Sequence, residues 1–138
     1  MSNITFTMIK PEAVEAGNIG AILNRIENAG FRISAMKKVH LSIEKASKFY
    51  QIHESKPFYN ELINYMSEGP IIAAILEKEN AVSEFRELIG STNPVEAAEG
   101  TIRKDFAESL SKNAIHGSDS DDNAIIEAKF HFEDHEIL

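Results

Sequence analysis

The most chemically suggestive peptide in the chain spans residues 113–120 and holds His116 at its centre. The imidazole follows Ala114 and Ile115 and precedes Gly117, so we expect the backbone to turn sharply there and the ring to be open to close approach. Small hydroxyl and carboxylate side chains surround it. A histidine in such a peptide is either a hydrogen-bonded structural residue or a catalytic group, and the peptide alone favours the structural interpretation.

Three basic residues accompany this peptide at positions suited to binding an anion. Lys10 ends a predicted strand directly before Pro11, Arg86 lies on a predicted helix, and Arg103 lies in a long irregular segment. Each is by itself more typical of a surface charge. The chain has a net charge of −8 and a pI of about 5.1. A nucleic-acid partner is therefore not expected, and an anionic ligand must be met by a local basic cluster.

The backbone motifs that usually cradle phosphate are missing from the sequence. There is no Gly-x-x-x-x-Gly-Lys-Ser/Thr loop, Gly17 and Gly20 do not form a dinucleotide fingerprint, and the protein-kinase motif set is absent. The chain also has no cysteine, which excludes a disulfide framework and a thiolate nucleophile. If phosphate is the ligand, side chains must bind it.

The sequence predicts no metal site that the protein makes alone. Asp119, Asp121 and Asn123 resemble the start of a calcium loop, but that loop would need glycine where the chain has Ala124 and glutamate where it has Phe130. This calcium interpretation therefore fails.

A second candidate pair, His131 and His135, lies four residues apart, a spacing that puts two imidazoles on one face of a helix. The tail around them is highly charged and lacks a third convincing ligand. We interpret both histidines as solvated surface side chains.

Length and composition are those of one compact domain over residues 1–138. With 43 % apolar residues the chain has the material for an ordinary core. Met1-Ser2-Asn3 leads into a short apolar strand without a basic leader, and no apolar run approaches the roughly 20 residues that span a bilayer. We expect a cytoplasmic protein with no membrane partner.

Apolar patterns predict four strands. Residues 4–9 alternate between two sets of side chains, whereas 71–76 form a continuous apolar run that is typical of a central buried strand. The second strand, 31–41, is expected to change register near Met36. Residues 113–119 are the last predicted strand.

Apolar residues at helical spacing predict the helices. Asn18, Ser42 and Asn80 are the expected N-caps, Gly30 lies just past the end of the first helix, and His53 lies on the core face of the second. A short helix near 59–66 and a last helix over 121–130 complete the set.

The order of these elements predicts an α/β fold of the α+β sandwich type. It is ferredoxin-like, with a four-stranded antiparallel sheet covered by helices on one face. A long irregular loop at about 90–111 interrupts the pattern. Such a loop is unusual in so small a domain and is typical of a functional segment.

Six peptides together resemble the nucleoside diphosphate kinase family, and the resemblance covers nearly the whole chain. Each peptide alone is weak, but six in the right order and spacing are very specific. The family's ferredoxin-like fold agrees with the predicted pattern. The peptides are TFTMIKPEAV (5–14), Tyr50 with KPF (56–58), YM (65–66) with GP (69–70), GSTNP (90–94), GTIRKDF (100–106) and NAIHGSDS (113–120).

The resemblance implies that His116 is a nucleophile, which takes the γ-phosphate from a nucleoside triphosphate and passes it to a nucleoside diphosphate by a ping-pong mechanism. A neutral imidazole suits this task because its pKa is near physiological pH. Glu127 is the implied carboxylate that orients the ring, Ser118 supports that carboxylate, and Tyr50 lies beside the histidine. Lys10 is implied in catalysis and in phosphate binding.

The other implied residues bind the nucleotide. Arg86 and Arg103, together with Lys10 and the hydroxyl of Thr92, would stabilise charge on the transferring phosphoryl group. Asn113 would bind the sugar hydroxyls. An apolar slot would hold the base by stacking, which tolerates any base; its residues are Phe58, which stacks, and Leu62 and Leu110, which close the slot.

The resemblance also implies partners and a cofactor. The substrates would be nucleoside di- and triphosphates such as ATP and GTP, and Mg²⁺ would arrive on their phosphates because the sequence offers no carboxylate cage. Family members form tetramers or hexamers from a common dimer. Since the chain stops at Leu138, without the longer tail of many hexameric members, we expect a homo-oligomer, with a tetramer ahead of a hexamer.

Two other interpretations stay open. A catalytically silent nucleotide- or protein-binding module of the same fold would be marked by loss of His116, Lys10 or Arg103, and all three are present. For a small-molecule-sensing regulatory domain of ferredoxin-like fold, those three residues would be a coincidence.

Overall fold

The computed structural model describes residues 3–138, so the expectation about Met1 and Ser2 lies outside the described residues. Four strands form one antiparallel sheet in the order β2-β3-β1-β4. This confirms the predicted four-stranded antiparallel sheet. The strands are β1 (Ile4–Ile9), β2 (Arg32–Val39), β3 (Ile71–Glu77) and β4 (Ile115–Gly117).

Seven α-helices connect and cover these strands within the described residues. The helices α2, α3, α4, α5 and α7 confirm the predicted set, whereas α1 and α6 were not expected, and α6 interrupts the segment predicted to be irregular. The helices are α1 (Pro11–Glu15), α2 (Ile19–Asn28), α3 (Ile43–Phe49), α4 (Tyr59–Ser67), α5 (Ala81–Ile89), α6 (Ile102–Phe106) and α7 (Asp121–His131).

The helix starts follow from capping chemistry in part. The hydroxyl of Ser42 accepts a hydrogen bond from the backbone N–H of Lys45, which satisfies one of the unpaired donors of the first turn of α3. Asn18 and Asn80 occupy the predicted N-cap positions but make no side-chain capping bond. His53 lies in a separate 3₁₀ turn, because the helix ends before it, which corrects its predicted place on α3.

Helices cover both faces of the sheet, which corrects the expectation that they lie on one. One core contains Phe6 and Met8 of β1 with residues of α3, α4 and α7, and the other contains Ile9 with residues of α2 and α5. The apolar run of β3 is continuous because both of its faces are covered: Ile71 faces the first core and Ile72 faces the second. A strand that is buried on both faces has no polar side to alternate with.

Two strand details differ from the predictions. The irregularity in β2 lies between Ile33 and Ala35, slightly before Met36. The last strand is three residues long, much shorter than the predicted span, and pairs only with β1 among the described residues. Among residues 3–138, no helix is long and apolar enough to cross a membrane.

His131 was wrongly predicted to be a solvated side chain. Its ring is buried at the end of α7 and stacks on Phe6, with centroids 5.0 Å apart and planes 11° apart. Burial, with smaller effects from nearby cations, lowers the pKa of His131 to about 4, so the ring is neutral at neutral pH. His135 is exposed, as predicted. The residues between them leave the helix after His131, so the two imidazoles do not share a helical face.

Candidate active site

His116 lies on the edge strand β4, directly opposite Met8 of β1, and therefore faces the core that contains α7. Its Nε2 is 2.9 Å from Oε1 of Glu127, which α7 presents to it. The hydroxyl of Ser118, two residues along the same strand face, donates to the same oxygen at 2.7 Å. A carboxylate accepts only, so Nε2 carries a proton, and in the neutral tautomer that this bond selects Nδ1 keeps its lone pair.

Two aromatic rings hold the imidazole in place. Phe6 lies 6.1 Å from it between centroids, and Phe49 lies 5.8 Å away with its plane nearly perpendicular. The side chain of His116 is still 19 % exposed, so one part of the ring is open to a ligand. The arrangement is a fixed, partly open imidazole with a carboxylate on one ring nitrogen, which suits a nitrogen nucleophile.

Tyr50 is buried behind this group. Its ring packs edge-on against Phe49 at 4.9 Å, and its hydroxyl has no partner among the described residues. Burial and the nearby carboxylate of Glu127 raise the pKa of Tyr50 well above its usual range, so the phenol stays protonated. Tyr50 therefore offers an unused hydroxyl that is close enough to Glu127 to be affected by its charge.

Gly117 does not have the role that we expected from the sequence. It lies in the extended strand, without the left-handed backbone that a sharp turn at glycine would use. A Cβ atom at this position would lie 3.1 Å from the ring of Phe85 and 3.0 Å from Ile89, both on α5. The glycine is needed because α5 packs closely on β4, opposite the face that carries His116.

The three basic residues predicted from sequence form one electrostatic cluster. Lys10 lies just before α1, is buried, and donates from Nζ to Oδ1 of Asn113 at 2.7 Å. Burial, followed by the Arg103 guanidinium, lowers the pKa of Lys10 to about 8, against an opposing effect of Glu12. Burial, followed by the Arg86 guanidinium, lowers the pKa of Arg103 to about 10. Lys10 and Arg103 therefore remain charged at neutral pH. The repulsion of Arg103 by Lys10 and by Arg86 is a state that an anionic ligand would relieve.

A cleft of about 760 Å³ opens beside this cluster, between α4 and the segment that precedes β4. Six of the predicted nucleotide-binding residues line it, and Thr92 also borders a smaller cleft of about 350 Å³ that contains Arg86 and Arg103. His116, Glu127, Ser118 and Tyr50 are not among the lining residues of either cleft. The six are Lys10, Phe58, Leu62, Thr92, Leu110 and Asn113.

A known family matches this chain. The model of the family described as nucleoside diphosphate kinase matches residues 3–137. The chain belongs to the nucleoside diphosphate kinase family. A nucleoside diphosphate kinase of Flavobacterium psychrophilum is 60 % identical over 131 residues, which are 95 % of this chain and 94 % of that protein.

Solved structures of nucleoside diphosphate kinases agree with the fold. The enzyme of Aquifex aeolicus superposes with a TM-score of 0.97 at 43 % identity, over 99 % of both chains. The enzyme of Halobacterium salinarum, solved in complex with CDP, superposes with a TM-score of 0.94 at 36 % identity, over 100 % of this chain and 92 % of that one. These neighbours support the ferredoxin-like fold of this family.

The described residues of this nucleoside diphosphate kinase family member offer no group of three or more His, Cys, Asp or Glu side chains that could hold a metal ion. The cleft presents Lys10, Lys112 and the neutral amide of Asn113, together with two carboxylates, Glu61 and Glu68, which do not form such a group. The lysines and the amide suit phosphate oxygens. A divalent cation would therefore be bound mainly by the phosphates of the nucleotide and not by protein side chains.

Sequence reasoning assigned no role to three residues that shape this site, although two of them lie in family peptides. Glu12 and Tyr65 are hydrogen-bonded to each other beside Lys10, and Phe49 packs on the imidazole of His116. The signal for Glu12 was its place two residues after Lys10. Nothing in the local sequence distinguished Phe49 from other apolar residues of α3.

Proposed function

We propose that this chain transfers the γ-phosphate of a nucleoside triphosphate to a nucleoside diphosphate through a phosphohistidine at His116, and so balances nucleotide pools. Membership of a family of nucleotide phosphotransferases supports the activity. The observation that supports His116 as the nucleophile is the hydrogen-bonded series from Ser118 through Glu127 to Nε2, which leaves Nδ1 with a lone pair.

In the first half-reaction, the Nδ1 lone pair of His116 attacks the γ-phosphorus and an N–P bond forms. The bond from phosphorus to the bridging β,γ-oxygen breaks, and its electron pair leaves on the nucleoside diphosphate. The proton on Nε2 stays in place, because Glu127 accepts its hydrogen bond at 2.9 Å. In the second half-reaction, a terminal oxygen of another nucleoside diphosphate attacks phosphorus and the N–P bond breaks.

The cations would stabilise the charge that spreads over the phosphoryl oxygens. Lys10 and Arg103 are held rigidly by protein partners, so they need little reorganisation during the reaction. Arg86 and the hydroxyl of Thr92 line the cleft next to Arg103 and would bind the same phosphates. Mg²⁺, carried by the nucleotide's own phosphates, would neutralise part of the ground-state charge when it is bound.

The larger cleft would hold the nucleoside. Phe58, Leu62 and Leu110 form its apolar wall, which suits the flat face of a base. Asn113 lines the same cleft and is buried, and its amide already bonds Lys10 and the carbonyl of Leu110. We propose that this amide also binds the sugar hydroxyls.

A labelling experiment tests the covalent step. Incubation with γ-labelled ATP and no acceptor is expected to leave about one label per chain. The bond should be labile in acid and stable in alkali, as a phosphoramidate is and a phosphoserine is not. Any nucleoside diphosphate should then remove the label as the corresponding triphosphate.

Matched variants identify the nucleophile. His116→Ala should take no label, whereas Ser118→Ala and Ser120→Ala should still label. An acid-stable label, or one that survives His116→Ala, contradicts the phosphohistidine mechanism. A folded wild-type protein that binds nucleotide but never labels would instead favour the catalytically silent module.

We also propose that the protein acts in the cytoplasm as a homo-oligomer, with a tetramer ahead of a hexamer. The family resemblance supports the assembly, and the lack of cysteine suits a reducing compartment.

A further inference from the structure

Glu12 joins three parts of the molecule through one carboxylate. It lies on α1, two residues after Lys10. Its Oε1 accepts a hydrogen bond from the hydroxyl of Tyr65 on α4, and its Oε2 accepts one from the backbone N–H of Ala114 at 3.0 Å. Ala114 is 102 residues away along the chain and only two residues before His116. Both oxygens of the side chain are therefore used at the site.

The backbone at Ala114 depends on such support. Its φ angle is +73°, in the left-handed region that residues with a Cβ atom rarely adopt. The residue is fully buried, so its N–H needs an acceptor inside the protein, and Glu12 is that acceptor. Its carbonyl accepts from the backbone N–H of Lys10 at 2.8 Å. A strained conformation of this kind persists only where its surroundings hold it.

Both neighbours of Ala114 hold groups of the proposed site. Asn113 on one side accepts from Nζ of Lys10 at 2.7 Å. Ile115 on the other side, which precedes His116, accepts from the guanidinium of Arg103 at 2.8 Å. A change in the backbone at Ala114 would therefore move the partner of the lysine and the strand end that carries the nucleophile together.

The negative charge of Glu12 also acts on the ammonium group of Lys10. The charged and titratable groups around the lysine are Glu12 from α1, Arg103 from α6 and Tyr65 from α4, whose ring centroid is 5.8 Å from Nζ. Glu12 acts against burial and Arg103 by raising the pKa of Lys10, which nevertheless lies at about 8. The larger cleft of about 760 Å³, which Lys10 lines, is also lined by Glu61, Glu68 and Lys112.

We propose that Glu12 is a positioning residue of the phosphotransfer site: it holds the strained segment before His116 in place and puts a carboxylate near Lys10, the residue proposed to bind phosphate. The proposal rests on the proposed function, because it assumes that Lys10 binds the nucleotide's phosphates and that His116 receives one of them.

Glu12→Gln separates the two roles of this side chain. The glutamine oxygen can accept from Ala114 and its amide can donate to the phenol oxygen of Tyr65, so both anchors are kept while the charge is lost. Removing the charge should let Lys10 deprotonate at lower pH. In the wild type, KM should rise above the pH at which Lys10 loses its proton. In Glu12→Gln we expect this rise to begin at a pH lower by about one unit, while kcat at pH 6.5 stays within about two-fold of the wild-type value.

Tyr65→Phe tests the anchoring role with the charge kept. The ring stays beside Lys10, and Glu12 loses one of its two donors. We expect KM to be several-fold higher at every pH, while the pH at which KM begins to rise on the alkaline side stays the same as in the wild type. Glu15→Gln is the matched control, since this carboxylate lies on the same helix and is exposed. This control should leave unchanged both KM and the pH at which KM begins to rise.

The measurement is steady-state transfer from ATP to CDP between pH 6.5 and 9.5, because neither base titrates in that range. Thermal melts of each variant accompany it. A Glu12→Gln protein with wild-type KM at every pH contradicts the charge role, and a Tyr65→Phe protein with wild-type KM contradicts the anchoring role. A lowered melting temperature with unchanged kinetics gives Glu12 a purely structural role and overturns the proposal.

The γ-label experiment distinguishes this failure from failure of the proposed function. If wild-type protein takes no label, the proposed function itself is wrong. If wild-type protein labels and Glu12→Gln follows it at every pH, only the positioning role is wrong.

Discussion

Arg103 uses two of its guanidinium nitrogens on backbone carbonyls, those of Gly90 and Ile115, at 3.0 and 2.8 Å. Its Nε is buried and has no acceptor among the described residues. The two bonds fix the position of the charge before any nucleotide arrives. A fixed charge favours the transition state, in which negative charge builds up on the equatorial oxygens, over the ground state, in which magnesium already neutralises part of it.

Replacing Arg103 by Ala should therefore lower kcat by 10²-fold or more, which corresponds to about 2.7 kcal/mol of transition-state stabilisation. Lys104→Ala is the matched control, because Lys104 is the next residue on α6 and is exposed. Stopped-flow or coupled assays at saturating nucleotide give kcat directly, and circular dichroism checks folding. An unchanged kcat with a raised KM would mean that Arg103 only holds substrate.

At the scale of elements, the larger cleft lies between α4 and the segment before β4. Phe58 stands at the N-terminal end of α4 with its ring about half exposed, and Leu110 on the opposite segment is also exposed. Both present apolar surface, and stacking on a ring does not depend on the hydrogen-bonding edge of a base.

ATP and GTP should therefore be donors of similar efficiency. We expect their kcat/KM values to differ by no more than about ten-fold, roughly 1.4 kcal/mol. Phe58→Ala should raise KM for both by a similar factor, while Val95→Ala, which removes exposed apolar surface outside the cleft, should not. A preference of several orders of magnitude for one base would reveal a base-specific contact.

At the scale of the whole molecule, the sheet ends in β2 on one side. The backbone N–H of Leu138 pairs with the carbonyl of Ser34 at 2.7 Å, so part of this edge is covered by the chain's own last residues. Met36, further along β2, is half exposed. An edge strand with exposed apolar surface is suited to a second copy of the chain.

This edge is consistent with self-association, and from the family resemblance we expect a homo-oligomer in solution, with a tetramer ahead of a hexamer. Multi-angle light scattering at micromolar concentration should give about four times the 15.4 kDa mass of the chain. A mass of six chains would confirm that the protein is a homo-oligomer and would show that it is a hexamer and not a tetramer. A species of single-chain mass would contradict both assemblies. That residues 1–138 form one domain stays a prediction, and limited proteolysis would test it.

The sequence by itself determined most of the strands and helices, although not α1, α6 or the ends of α3 and β4. Period-two and helical patterns are set by which face of one strand or helix is buried, so they can be seen along a short stretch of chain. The Ser42 cap, the left-handed Gly30 after α2 and the continuous apolar run of β3 are of this kind. The resemblance of six peptides to a known family likewise pointed to His116 and Lys10, whereas neither residue type nor local spacing alone did so.

Only the tertiary structure decided which of these residues meet. Glu12 and Ala114 are 102 residues apart, and their hydrogen bond exists because β1 and β4 pair antiparallel and bring α1 beside the segment before His116. The burial of His131 and the need for glycine at Gly117 have the same origin. Each depends on a side chain from a distant element, Phe6 in one case and Phe85 in the other. Local periodicity reports that a face is buried but not what covers it, because packing partners are set by contacts between distant segments.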